Sequence, residues 1–492
     1  MTAEPFSVVL LAAAAVGLPL CGAAVVACGA CDRRLREVAV AATLAALLAA
    51  GGMTVAWNLA GGRPITRGDQ LVGGSLVAID GLTTLLMPYA ACVSLAIALA
   101  APRRDLDAAG VSRMLAGTAA TLAMFATSHP FTILGLWVLT AAGTWISTRA
   151  TPGGRGAARV FAIAMTTALA AMTVGTCLLV SDPPWERASG TVGIAGGWLV
   201  AVAVMIRKGI VPFHSWYPAL FSGAPMSAAL SATMPQVAAY SAVRLLIGHV
   251  DHAAGLAPEL EFLSNVALVT AVYGAALALV QRELRGFIGF LAMSQSAMVL
   301  AGLSGTLPLE LSGALCVWIS SGLSLTGIGL VTWALESRAG PIRLDTPQGR
   351  FWDAPTLAAF FLLFGLAGSG LPGTLSFVAD DLIVSGSLDE KLYGGLLVTA
   401  STVLSGIAVM RCWFFVFGGP TAPDGPRHAI LSRERLALSA LLLALFGFGL
   451  FPGPLVRAIE QAAEQLLHPA SASSVSTPFV PSSAVPQENA TP

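Results

Sequence analysis

Long apolar runs separated by short polar turns set the pattern of this chain from about residue 6 to about residue 460. A run of about 20 apolar residues is what an α-helix needs to cross the hydrocarbon core of a bilayer. The pattern predicts about fourteen such spans, at 6–29, 38–60, 71–100, 111–127, 129–148, 158–181, 190–207, 226–248, 260–281, 285–304, 308–335, 355–385, 392–418 and 435–460. Two of them are interrupted. The seventh gives way at Lys208, Gly209 and Pro212 to the polar, proline-broken stretch RKGIVPFHSWYPALFSGAP. The twelfth breaks within AGSGLPGTLSFVADD, at Gly368, Gly370, Pro372 and Gly373. Glycine and proline open the helical ladder, and in lipid the freed backbone groups must find neighbouring helices or water.

The two breaks lie five spans apart, and an odd offset turns the second copy upside down in the bilayer. The expected fold is therefore an all-α polytopic membrane protein with two inverted five-helix repeats and two broken helices. Its parts are an N-terminal three-helix segment (1–110), the repeats (111–250 and 251–420) and a C-terminal helix (421–467). Beyond 468 the chain is rich in Pro, Ser and Ala and is expected to be disordered. Broken helices in corresponding positions of inverted repeats point to an ion site near the midplane, although glycine and proline also occur in membrane helices without such a role.

Composition makes lipid the solvent, since 56% of the residues are hydrophobic and 11% charged. Formal charge sums to zero, which removes the basic footprint of a nucleic-acid binder. The first apolar run has no basic region before it and reads as a full span, so no cleaved signal peptide is expected. Of the seven cysteines only Cys28 and Cys31 lie close together, without a second pair to complete a metal site. No Gly-rich nucleotide loop or large extramembrane segment is present, so no cofactor, metal or self-contained enzyme is read. Arginines gather in the odd-numbered loops, among them Arg33, Arg103, Arg104, Arg338 and Arg427, against Arg63, Arg67 and Arg187 in the even ones. Basic loops stay cytoplasmic, which predicts both termini outside the cytoplasm of a bacterial inner membrane.

The candidate chemistry sits at the breaks. Lys208 is one of two lysines; the other, Lys391, lies in a turn beside Asp389 and Glu390. An ammonium at the end of an apolar helix is costly to bury and reads either as part of an ion path or as a snorkelling side chain. Asp380 and Asp381 follow the second break, so a cation and a carboxylate occupy matching places and suit a proton relay. His214 can both donate and accept near neutral pH. Gln236, Ser294, Gln295, Ser320 and Ser321 are polar groups inside apolar helices, suited either to the relay or to bonding helix to helix. Asp80 reads as a further carboxylate several residues into the third span. Arg244 is open to an acid partner or to the interface, and Arg282, Glu283 and Arg285 read as a charged loop.

Several of these strings resemble the antiporter-like subunits of respiratory complex I, Mrp-type cation/proton antiporters and membrane-bound hydrogenases. Lys208 followed by Pro212, His214, Trp216 and Pro218, then Ala224-Pro225 and Ser227-Ala228, is similar to that family's lysine followed by PFHxWLPxA. Asp80-Gly81-Leu82, Glu283-Leu284-Arg285 leading to Met293-Ser294-Gln295, and Gly370-Leu371-Pro372 leading to Phe377 and Asp380 recur in family order. The resemblance implies a proton-conducting subunit of a larger membrane complex, with Lys208 as the broken-helix lysine and Asp380 as its counterpart on the second break. Three departures stand out: Val138 follows Trp137 where the family usually has a glutamate, Gln236 stands where many members have a second lysine, and the eleventh span lacks Lys and His.

These departures leave a conducting subunit with a shortened relay, or a membrane anchor that no longer conducts. Simplified members of the superfamily also resemble the membrane half of a two-component inorganic-carbon uptake system with a cytoplasmic zinc-containing partner. Other subunits of a complex I-like or hydrogenase-type pump are the alternative partners. Inverted repeats and broken helices suit a standalone ion-coupled transporter equally well.

Overall fold

The computed structural model describes residues 4–29, 34–68, 74–181, 191–247, 258–303, 308–390, 392–420 and 429–467. The tail beyond 468, Lys391, Cys31, Arg33, Arg187 and Arg427 lie outside the described residues. The first seven helices are α1 (Glu4–Ala27), α2 (Leu35–Leu59), α3 (Gly81–Ala100), α4 (Ala108–Phe125), α5 (Pro130–Ala150), α6 (Arg155–Ser181) and α7 (Thr191–Lys208). Three short helices follow, α8 (Trp216–Gly223), α9 (Met226–Thr233) and α10 (Val237–Leu245). Then come α11 (Pro258–Leu279), α12 (Leu284–Leu303), α13 (Pro308–Ala339), α14 (Pro355–Gly368), α15 (Leu375–Glu390), α16 (Leu392–Phe417), α17 (Ser432–Leu450) and α18 (Gly453–Leu467). Among the described residues eleven helices are long and apolar enough to cross a membrane, or twelve if α17 and α18, bent by 82°, form one span. The chain is an all-α integral membrane protein.

Three expected spans differ from single straight helices. The twelfth is divided into α14 and α15, as its glycines predict. The eighth is also divided, into α9 and α10, by Gln236 with φ 54°. Pro235 just before it has no N–H to continue the ladder. The last span stops at Leu450 rather than running to 460, and the chain turns into α18, whose Ile459, Ala462 and Ala463 are buried. The start of α3 is a further correction. Residues 77–79, expected inside the third span, form a strand paired antiparallel with Ile65–Arg67. Asp80 is therefore the N-cap of α3 instead of a residue several positions into the helix, and Thr83 N–H donates to its Oδ1 at 3.0 Å.

α12 and α13 form the centre. The most apolar window of α13 is entirely buried and that of α12 is 94% buried, whereas those of α1, α2, α5 and α6 are 33% buried. Polar groups on α12 and α13 are thus shielded from lipid by the peripheral helices. Small residues allow the close packing this requires: a Cβ on Gly327 would lie 2.3 Å from the Phe364 ring.

Candidate functional site

The first break is closed by its backbone. Gly209 takes φ 70°, its N–H donates to Ile206 O, and Ile210 N–H donates to Met205 O at 3.0 Å. This glycine-ended Schellman closure satisfies carbonyls that the end of α7 would otherwise orphan. Trp216 Nε1 donates to Ile206 O at 2.7 Å, tying α8 back onto α7. The second break repeats the geometry: Gly370 takes φ 76° and Leu371 N–H donates to Leu366 O at 3.0 Å. A Cβ on Gly209 would stand 2.8 Å from Tyr217 Cδ2, and one on Gly370 2.7 Å from Asp380 Oδ2. Both positions therefore need glycine for conformation and for space.

Lys208, the last residue of α7, is 2% exposed. Its Nζ donates to Gln236 Oε1, so the lysine of one break meets the left-handed residue of another. Carbonyls freed around Gln236 are taken by distant side chains: Tyr89 OH donates to Met234 O at 2.7 Å and Trp318 Nε1 to Pro235 O at 3.2 Å. These bonds fix the turn that aims Gln236 at Lys208. A cavity of about 20 Å³ adjoins the pair, lined by Thr140, Tyr217, Thr233 and Ser296 among others. That is room for a water with polar partners. Thr140 also lines a larger, partly polar cavity of about 90 Å³, which reaches Asp105, Asp107 and Arg113 through Thr144, Ser147 and Ser231.

On the other side of α12, Gln295 and Ser321 line a second small cavity with Ser324, Gly368 and Ser369. Ser296 and Gln295 are consecutive, so α12 presents one polar side chain to the Lys208 cavity and the next to the cavity beside the α14 break. Ser321 Oγ is buried there with no hydrogen-bond partner among the described residues. Asp380, on the first turns of α15, lies against Gly370; Thr402 Oγ1 of α16 is 3.5 Å from its Oδ2. No ion pair forms at Asp380 or at Lys208 among the described residues.

The transmembrane family model for NADH:quinone oxidoreductase/Mrp antiporter proteins matches residues 160–407, half of the chain and a stretch that contains both breaks. The chain belongs to this family. Among curated relatives it is similar to NAD(P)H-quinone oxidoreductase chain 4 of Acaryochloris marina, 27% identical over 285 residues that cover 55% of this chain and 52% of the relative. It also matches F(420)H(2) dehydrogenase subunit M of Methanosarcina mazei, 24% identical over 257 residues covering 52% of each. The chain spans about half the length of the curated relatives it matches. Among solved structures, a chain of the Mrp complex from Dietzia superposes with TM-score 0.84 at 18% identity, covering 96% of this chain and 99% of that one. A chain of respiratory complex I from Thermus thermophilus superposes with TM-score 0.81 at 20% identity, covering 93% and 99%. These likenesses establish the fold.

In this family member several singled-out residues lie apart from the pair. His214 is half-buried in the turn after α7, its ring packed edge-on against Tyr273 of α11 at 5.3 Å. It does not line the Lys208 cavity. Asp381 is exposed, pointing away from the Asp380 side of α15. Ser294 Oγ donates to Ala271 O at 2.7 Å and meets Ser401 Oγ at 3.1 Å, bonding α12 to α11 and α16. Ser320 Oγ bonds only weakly to Val317 O of its own helix, at 3.4 Å.

Asp80 belongs to another cluster. Arg244 grips it with Nη1 to Oδ2 at 2.6 Å and Nη2 to Oδ1 at 3.0 Å, while Arg244 Nε donates to Tyr240 OH at 2.9 Å. Burial alone would raise the Asp80 carboxyl, which lies ahead of the α3 span. The facing guanidinium and the Thr83 donors outweigh it and hold the group below the usual carboxylate range. This pair anchors α10 to the start of α3. Arg285 is likewise more than loop: its Nε donates to Glu336 at 2.7 Å and its Nη1 to Ala224 O at 2.8 Å, capping α8. Sequence reasoning missed Arg207, Thr140, Ser296 and Thr402. Only Arg207 left a signal, a second cation at the end of an apolar helix.

Proposed function

We propose that this chain is a proton-conducting subunit of a membrane complex. The reading rests on one observation above the rest: a buried lysine with no acid partner among the described residues, bound to Gln236 where two helix breaks meet, beside a cavity that can hold water. An ammonium so placed can pass a proton to water and recover one from it, with Gln236 Oε1 and the hydroxyls of Thr140, Thr233 and Ser296 orienting that water. Gln295, Ser321 and Ser369 extend the polar line across α12 toward Asp380, a carboxylate that can hold or release a proton at the second break. Family membership supports this reading, as do relatives named as quinone oxidoreductase and F(420)H(2) dehydrogenase subunits. The arginine-rich loops orient the larger Thr140 cavity toward the cytoplasm, and the broken helices divide the conducting part into two halves at about residue 250.

The coupled reaction belongs to the partner. Redox-driven pumping beside quinone-reductase subunits and inorganic-carbon uptake beside a soluble zinc-containing subunit are the two couplings that identification of the partner distinguishes. The test of conduction is proton flux through the purified intact complex in liposomes, followed with an internal pH dye. Lys208→Met is expected to reduce flux to the lipid leak while the complex assembles normally. Full flux in an assembled Lys208→Met complex removes this reading and leaves the anchor.

A further inference from the structure

Arg207 lines the Lys208 cavity as well, but among the described residues no acid faces it there. Its guanidinium lies over the Trp137 ring at 4.5 Å, with Nη1 donating to Trp137 O at 2.9 Å and Nη2 to Thr140 Oγ1 at 2.6 Å. Both partners are neutral, and no carboxylate pairs with it among the described residues. The same guanidinium borders an apolar groove of about 250 Å³ between α5 and α6, lined by Val138, Trp145, Phe161, Met165 and Leu169. Val138 is 44% exposed at this groove, so its mouth opens on the outer face of the helix bundle. A lone cation in hydrocarbon is costly unless it is paired.

The geometry points to a transmembrane helix of a partner subunit lying across this groove and presenting an Asp or Glu side chain to Arg207. Charge complementarity selects the acid, and depth selects its source. Trp137 to Ala141 lie near the middle of α5, whose 21 residues span the membrane. Lipid phosphates sit about 15 Å from that level, half the thickness of the hydrocarbon core. A helix carries a carboxylate to midplane where a headgroup does not reach. A helix is about 10 Å across, and a groove of about 250 Å³ holds side chains but not a whole helix, so the partner packs over the mouth and inserts side chains. This inference rests on the reading of the chain as a complex subunit, but not on proton conduction.

The experiment places the photo-crosslinking residue p-benzoylphenylalanine at Val138 in the full chain, in native membranes, and identifies adducts by mass spectrometry. The expected adduct is with a membrane segment of another polypeptide that contains Asp or Glu. Arg207→Glu should lower its yield by about tenfold, the effect of losing about 1.4 kcal/mol. Reversal of the identified acid to Arg should restore it. Ala162→Trp, which fills the groove and leaves Arg207 in place, should also abolish the adduct and serves if Arg207→Glu reduces the amount of folded chain. Adducts with lipid alone, no adduct, a partner segment without an acid, or a yield unchanged by both variants overturns the proposal. Adducts from a photo-crosslinker at Leu443, on the exposed face of α17, with Val138 silent, would remove this inference while leaving the complex-subunit reading intact.

Discussion

At the first break Lys208 is 2% exposed, bound to Gln236 and enclosed by α5, α8 and α9; at the second, Asp380 is half-buried and its nearest polar neighbour, Thr402, stands at 3.5 Å. The backbones nevertheless share a closure: Gly209 and Gly370 are both left-handed, and in each case the residue after the glycine donates its N–H to the carbonyl five residues back. The shared backbone shows that a helix break by itself only exposes carbonyls and makes room. What occupies the room differs: a cation with a fixed amide partner in one case, a loosely held carboxylate in the other. The enclosed group is held by one amide, whereas the more open one has only a threonine hydroxyl at 3.5 Å beside it.

This contrast ranks the expected effects. Lys208→Met should cut proton flux by about tenfold or more with assembly intact, read by pH-dye flux in liposomes. Arg244→Met strikes neither break but leaves Asp80 as an unpaired buried charge, and should lower stability by about 3–5 kcal/mol, seen as a fall in the melting temperature of the detergent-solubilised complex. Gln236→Gly removes the Lys208 acceptor while relieving the strain of φ 54°. It should therefore reduce flux with little loss of thermal stability, separating the role of the amide from that of the turn. Asp380→Asn should lower flux less than Lys208→Met, and Asp381→Asn, on the exposed side, should leave it unchanged. Equal losses from the two aspartates would erase the distinction between the faces of α15.

The Asp80–Arg244 pair also gives a pH dependence with a definite sign. The folded carboxyl titrates below its unfolded value of about 3.9, so its contribution is complete above that value and is lost as pH falls through the folded one. Melting temperature should therefore hold from neutrality to about pH 5 and drop below about pH 4. Arg244→Met should weaken this component of the drop.

Much of the fold was legible because lipid leaves few choices: long apolar runs must be helices, and glycine with proline in such a run marks a break. The breaks at Gly209 and Gly370 were visible on that ground. The break at Gln236 was not, since Met-Pro-Gln within an apolar run reads equally as a kinked continuous helix, and only the bonds from Tyr89 and Trp318 fix it. Asp80 was misplaced because the apolar string SLVAI reads as the start of a span, while its pairing with residues 65–67 is a contact that hydropathy does not carry. Arg285 looked like loop charge because its partner, Glu336, lies 51 residues away. Lys208 and Asp380 were legible as candidates. Which neighbours face them was not, because side-chain direction on a wholly apolar helix has no polar face to reveal it; hence His214 and Asp381 look equivalent to true neighbours in sequence and lie apart in space.

The central claim is that both breaks serve one proton route, and a double-mutant comparison tests it most directly. Proton flux would be measured for the intact complex in liposomes with Lys208→Met, with Asp380→Asn and with both. On a single route the double variant conducts no less than the worse single one, since a path already cut at Lys208 has nothing further to lose at Asp380. Losses that add, so that the double variant falls below the worse single variant by the flux lost in the other, would show two parallel routes and contradict the account.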